Sequence, residues 1–228
     1  MELDEGIVLR AVAYNNNARI VKVFSQSKGI QSFYVGANKK KALFSYFQPL
    51  KLITYGYTKN SKSDLLAFKE INASYTLNNL YTDVKKSAVV FFITEVLLST
   101  IKEEEQNTNV FDYLTQLIKE LENTDNPTIF SVNFLINWSV FIGIQPLLDT
   151  GKYFNIQSGE LQNNFDSIYC LNEADTIYLV NAYKGEVTAT TSNKARRNLL
   201  TTLIKYYTYH LPEFKSPKSL EVLKTVFG

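Results

Sequence analysis

The sequence predicts an α+β chain, a small five-stranded barrel followed by an all-α part. Three observations carry this. Residues 1–75 break into short runs rich in β-branched and aromatic residues, separated by polar turn clusters. From about residue 79, apolar residues recur at helical spacing behind capping residues. Charge divides at the same place: residues 1–75 hold eleven Lys/Arg against five Asp/Glu, a net of +6, and the remainder carries a net of −4. The expected domains are therefore 1–78 and 79–228. A basic module joined to a mildly acidic one suggests that the first meets a polyanion and the second does something else.

The strand runs follow in order. Gly6–Tyr14 is rich in Val, Ile and Leu, and Asn15-Asn16-Asn17 is a turn signal. Ala18–Ser25 alternates, with Ile20, Lys22 and Phe24 opposite to Arg19, Val21 and Val23. Ser27-Lys28-Gly29 turns the chain into Ile30–Val35, and Gly36–Ser45 reads as a lysine-rich loop. Phe47–Lys59 reads as the fourth strand, with Gly56 at a bulge or bend, and Leu65–Tyr75 as the fifth. Five short strands in so few residues fit a closed or partly open barrel better than a two-layer sandwich, which needs more strands.

Helices take over next. Thr82-Asp83 can cap a helix to about Ile101, and Asn109 a second one carrying Phe111, Leu114, Leu117, Ile118 and Leu121. Asp125-Asn126-Pro127 starts a third that runs to about Ile142 and ends at Gly143. It is apolar on all sides and is expected to be the central buried helix. Residues 145–172, with Pro146, Gly151 and Gly159, form a loop-rich insert. A short helix near Asn172–Ala182, a longer one capped by Thr191-Ser192 and running to Tyr209, and a last one at Ser219–Phe227 complete the chain.

Little in the sequence points to catalysis. One cysteine, Cys170, and one histidine, His210, leave no internal disulfide, no multi-cysteine zinc site and almost no Cys/His metal chemistry. There is no phosphate loop, dinucleotide fingerprint or nucleophile elbow. Glu103-Glu104-Glu105 fan out as sequence neighbours and do not converge on a metal. His210, beside a helix end, reads as a partner of the helix dipole before it reads as a base. The expectation is no cofactor and no enzyme. MELDEGIVLR lacks a positive n-region and an apolar run, and Ala88–Thr100 is too short to span a bilayer. The expected location is cytoplasmic, with no membrane partner.

The basic signal is stronger. Lys39-Lys40-Lys41 follows a strand end, where a lysine loop can neutralise several phosphates with counterion release. Arg10, Arg19, Lys22, Lys28 and Lys51 lie on neighbouring strands and turns, interleaved with Phe33, Tyr34, Phe44, Tyr46 and Phe47. Cations for phosphates and rings for bases suit single strands on an oligonucleotide-binding barrel. The other reading is a solvated lysine loop with the aromatics in the core. A second basic cluster, Lys194, Arg196 and Arg197, heads a helix, where it opposes the dipole and so favours a partner.

These motifs together resemble the RecO family of bacterial recombination mediators. The resemblance runs through Val8-Leu9-Arg10, Arg19-Ile20-Val21, Ser27-Lys28-Gly29, Val35-Gly36-Ala37 with its trailing lysines, and Phe47-Gln48-Pro49-Leu50. It continues through Phe134-Leu135 to Gly143 and Pro146, then Tyr209-His210-Leu211 and Lys218-Ser219-Leu220-Glu221-Val222-Leu223. It implies an N-terminal OB-fold barrel and an all-α domain. It further implies binding of single- and double-stranded DNA (ssDNA and dsDNA), strand annealing and nucleoid association. The implied partners are RecR, the acidic C-terminal tail of single-stranded DNA-binding protein and, indirectly, RecA. Arg10, Arg19, Lys22, Lys28, Lys39, Lys40, Lys41, Lys51, Arg196 and Arg197 are the expected DNA-binding residues.

The sequence departs from the family pattern twice. The four-cysteine zinc module of many members is reduced to Cys170, so the insert must hold by packing, with Tyr153, Phe154, Phe165, Ile168 and Tyr169 as candidates. Some members carry arginines for the partner tail at the head of the helix ending at Gly143. Here those positions are Val132-Asn133, which leaves tail binding to other cations such as Lys119. A protein-interaction adaptor whose helical domain carries the function without direct DNA binding is the alternative reading.

Overall fold

A computed structural model describes residues 3–15, 18–36, 43–59, 65–101, 106–188 and 190–227. The chain forms two compact units, one reaching to Thr124 and one from Asp125 onward. The expected boundary at 78 marks the change from strands to helices, whereas the first compact unit continues for three further helices.

In the first unit, β1 (Asp4–Asn15), β2 (Ala18–Ser25), β3 (Gly29–Gly36), β4 (Leu52–Lys59) and β5 (Leu66–Ala73) close a barrel in the order β1-β2-β3-β5-β4. Neighbours pair antiparallel except β3 and β5, which meet in parallel at Phe33 and Leu66. Period-two alternation sends Val8, Val21, Val23, Phe33, Val35, Ile53, Tyr55, Phe68 and Ile71 inward. Phe33 stacks on Phe68 with centroids 4.0 Å apart. Bulges at Val8/Arg10 and Ala13/Asn15 bend β1 around the barrel.

The fourth strand begins at Leu52, later than the expected Phe47. Phe44–Phe47 forms a 3-10 turn, Pro49 has no N–H to give a ladder, and Leu50 takes a φ of 60°. Phe47 and Phe33 are core residues, which for these two rings decides for the core reading over the base-facing one.

Helix α1 (Asn79–Thr82), α2 (Val84–Thr100) and α3 (Thr108–Asn123) complete this unit. Asp83 caps α2 by accepting from Lys86 N–H. Asn107, not the expected Asn109, caps α3 through Val110 N–H. Phe24, which faces out of the barrel, is covered by Phe111 of α3 at 6.1 Å between centroids. The run 103–105 lies outside the described residues.

The second unit holds α4 (Phe130–Phe141), the hairpin β6 (Tyr153–Asn155) and β7 (Glu160–Gln162), α5 (Glu173–Tyr183), α6 (Asn193–His210) and α7 (Leu220–Val226). Trp138 and Phe134 of α4 stack inside it, and Tyr207 Oη donates to Leu135 O at 2.6 Å. Helix α4 is not buried all round, because Asn137, Val140 and Phe141 are exposed. Its apolar composition overstated its burial. Asn172 and Ser192 cap α5 and α6 through the N–H groups of Asp175 and Ala195.

Candidate nucleic-acid interface

The outer face of β1-β2-β3 is built by the alternation that makes the core. Val21 and Val23 point in, so Ile20 and Lys22 point out. Phe33 and Val35 point in, so Ser32 and Tyr34 point out. Ala11 packs on the core, so Arg10 and Val12 point out. Strand register then sets two rows across the sheet: Arg10–Lys22–Ser32 and Val12–Ile20–Tyr34. Tyr14 reaches the same face, where its ring meets that of Tyr34 edge to face at 6.4 Å.

Arg10 and Lys22 are direct cross-strand partners. Side chains so placed have Cβ atoms about 5 Å apart, and like charges there work against the sheet. An anion between them reverses the sign of that term. No Asp or Glu occurs in the 58 residues from Gly6 to Ser63, which carry ten Lys/Arg. From Gly6 to the end of β3, the strands that build this face carry cations and no acid.

The structure separates the expected cations. Arg10 and Lys22 come together on the outer face. Arg19 stands opposite Ala13 and Val35, with the parity of Val21, at the end of β2 rather than on that face. Lys28 lies in the β2–β3 turn, which begins three strand residues beyond Lys22, roughly 10 Å along the strand at the usual rise per residue. There its ammonium donates to Tyr57 Oη beside Asp4 and Glu5. Asp4 accepts from Ser25 Oγ at 2.6 Å and Ser27 Oγ at 2.8 Å, so that end of the barrel is an acid-centred network. Lys51 sits 5.7 Å over the Tyr81 ring; desolvation lowers its pKa, and Glu122 opposes that shift. It belongs to the packing between barrel and helices. Lys39, Lys40 and Lys41 lie outside the described residues.

In the second unit, Arg196 and Arg197 stand in the first turn of α6 and line a cleft with Val132, Leu200, Leu223, Lys224 and Phe227. Arg196 also has a structural part, since its guanidinium donates to Thr191 O and to Asn193 Oδ1. Those acceptors answer the dipole penalty of an arginine at a helix start. Burial lowers its pKa from the ordinary value. Lys119, on α3 of the first unit, is held 5.4 Å over the Tyr75 ring.

The insert at 145–172 holds through three anchors. Phe154 is fully buried, its N–H donates to Thr176 Oγ1 of α5 at 3.0 Å, and its ring lies 5.7 Å from that of Tyr206 of α6. Tyr153 packs edge to face on Phe165, and Tyr169 on Tyr209. Ile168, expected among the packing residues, is 74% exposed instead. His210 sits at the end of α6 with Nε2 3.1 Å from Ile156 O and its ring on Tyr206. Among the described residues, no group of three His, Cys, Asp or Glu can hold a metal ion. No helix among them is long and apolar enough to cross a membrane.

Three residues of these sites were not singled out from the sequence. Tyr14 and Val12 follow from counting in twos from Arg10, which was available. Glu122, whose carboxylate holds α1, had no local signal because its partners lie more than forty residues away.

A closed five-stranded OB-like barrel with cations on its outer sheet, followed by helices, places the chain among proteins built on an oligonucleotide-binding type of barrel with an appended helical part. Residues 1–76 match the family model described as "Recombination protein O N terminal", and residues 81–151 match "Recombination protein O C terminal". The chain is 34% identical to the DNA repair protein RecO of Flavobacterium psychrophilum, across 98% of both chains. It is 30% identical to that of Flavobacterium johnsoniae and 32% to that of Phocaeicola vulgatus, again across 98% of each. The chain belongs to the RecO family, and its role lies in DNA repair and recombination.

Proposed function

We propose that the chain is a non-enzymatic recombination mediator. It binds single- and double-stranded DNA, anneals complementary strands and helps load a recombinase onto ssDNA covered by single-stranded DNA-binding protein. The observation that carries this reading is the directly opposed Arg10–Lys22 pair on a sheet face formed from an acid-free stretch of chain. A phosphate between the two cations turns a repulsive pair into an anion clamp, and the charge of the two strands to be annealed is screened at the same surface.

The second unit is the proposed partner-facing part. Its cleft joins an apolar floor of Val132, Leu200, Leu223 and Phe227 to the cations Arg197 and Lys224. That chemistry suits an acidic peptide ending in apolar residues, such as the tail of single-stranded DNA-binding protein. Arg196 and Arg197 serve there in this reading, instead of contacting DNA. RecR, and through it RecA, complete the proposed assembly, at the nucleoid.

The test is a salt titration of binding to single- and double-stranded DNA. Arg10→Ala and Lys22→Ala should each flatten the slope of log affinity against log salt by about 1. Unchanged slopes in both variants remove this face as the DNA site. Absence of DNA binding at low salt, with the tail peptide still bound, favours the adaptor reading.

A further inference from the structure

The outer sheet face carries more than charge. Tyr14 is 62% exposed and Tyr34 41%, and Val12 beside them is 41% exposed. Large apolar side chains in a closed barrel normally point to its core or lie under a helix, as Phe24 does beneath Phe111. Here three stand together on the outer face, exposed among the described residues. Tyr14 belongs to β1 and Tyr34 to β3, so their edge-to-face contact spans β2 and fixes both rings on one platform. Ile20 lies in the row between Val12 and Tyr34. The Arg10–Lys22 row stands two residues further along each strand, about 7 Å away at the usual rise. Tyr34 is thus one such step from the cations and Tyr14, four residues from Arg10 on β1, about two, so a single strand held by its phosphates on the cations can lay successive bases toward the rings.

The geometry points to Tyr14 and Tyr34 as a base-stacking platform that makes this face select single strands with unpaired bases over duplex. This rests on the DNA-binding reading above and adds the specificity-determining residues. Arg10 and Lys22 supply charge, which single and double strands both satisfy. The tyrosine rings need a free π-face, which an unpaired base offers and a base inside a duplex does not. Sequence preference is not expected, since every base has a π-face.

The experiment uses the full chain with three probes: a short oligothymidylate, an abasic oligomer with the same number of phosphates, and a duplex. Wild type should prefer the oligothymidylate to the abasic oligomer by roughly 5- to 150-fold for one stacked base. The double variant Tyr14→Thr/Tyr34→Thr, which keeps β propensity, should lose that preference while its binding to the abasic oligomer and the duplex is unchanged. Tyr14→Phe/Tyr34→Phe should behave as wild type. Equal affinity of wild type for the two single-stranded probes overturns the inference without any variant having to fold. So does a loss in the threonine variant that is the same on all three probes. If wild type binds none of the probes at low salt, the DNA reading itself fails. If it binds all three alike, only the stacking platform does.

Discussion

Replacing Glu122 with glutamine tests how the barrel is joined to the helices that follow it. The Glu122 carboxylate lies buried on α3, and α1 begins against it. Oε1 accepts from the N–H groups of Asn78 at 3.0 Å and Asn79 at 2.9 Å, and Oε2 accepts from Leu80 N–H at 3.0 Å. These are donors that a helix start leaves without intrahelical partners. Lys86 Nζ adds a bond to Glu122 O at 2.6 Å. Glutamine keeps one acceptor oxygen, and its amide nitrogen then faces another N–H. One charge-assisted bond is lost, worth about 1.5–3 kcal/mol, and two become neutral and weaker. A destabilisation of about 3 kcal/mol is expected, a large part of a typical domain's stability.

The pH dependence has a definite sign. Burial raises the carboxyl pKa, but the three N–H donors and Lys86 outweigh it, so the folded value lies below the ordinary 4.5. A depressed acid stabilises the fold above its unfolded pKa, and that stability is lost as pH falls through the folded pKa. The gap between wild type and Glu122→Gln should therefore be full at pH 7 and narrow in acid, as pH falls from the ordinary carboxylate value through the lower folded one. Urea unfolding at pH 7 and in acid, with hydrogen exchange over residues 78–82, measures it. A gap under about 1 kcal/mol at pH 7, or one that persists unchanged in acid, refutes the reasoning.

Phe111→Ala uncovers Phe24 and should cost about 3–5 kcal/mol in the first unit, read by urea unfolding. For the same reason a fragment ending at residue 78 lacks both Phe111 and Glu122, and should melt below one ending at Thr124 in a circular dichroism scan. Gly6→Ala places a Cβ 2.4 Å from Val23 Cγ1 and 2.8 Å from Tyr55 Cε1, and should lower the stability of the barrel by about 1–3 kcal/mol in the same scan.

The barrel was legible because its evidence is local. In Ala18–Ser25, Lys22 stands between Val21 and Val23, the flanking turns are polar, and the inward set Val21 and Val23 follows from counting alone. Helix starts at Asp83, Asn172 and Ser192 were equally local, each being a side chain that accepts from a backbone N–H three residues on. The fourth strand was overextended because Phe47 to Leu50 has strand-like composition, while Pro49 and the positive φ of Leu50 impose a turn. Composition left Phe33 and Phe47 open, since an aromatic beside a lysine looks the same facing bases or facing a core. Only strand parity tells them apart. Lys28 and Lys51 are basic in sequence and lie on the correct domain, yet Tyr57 and Tyr81 draw them to other duties. Such long-range pairings have no trace in sequence spacing.

His210 has a structural part in holding the segment 145–172. The insert that elsewhere in the family carries four cysteines is fastened here to α5 and α6, and His210 is one of the fasteners. Its Nε2 meets Ile156 O at 3.1 Å, and its ring lies 4.1 Å from that of Tyr206, whose Oη donates to Ile144 O at 2.7 Å. Burial pushes the Tyr206 phenol up to about 12, so it stays a neutral donor throughout the working pH range. The hairpin turn closes against this pair at Gly159, where φ is +79° and a Cβ would stand 3.0 Å from Tyr206 Oη and 3.2 Å from His210 Cε1. His210→Ala removes one hydrogen bond and one ring contact, together about 1–2 kcal/mol. Gly159→Ala strains the same turn from the other side. Both variants should expose the segment 145–172 to limited proteolysis while DNA affinity and its salt slope stay at wild-type values. A loss of DNA binding or of strand annealing in His210→Ala, with the insert still protected from protease, would give the histidine a functional part beyond fastening the insert.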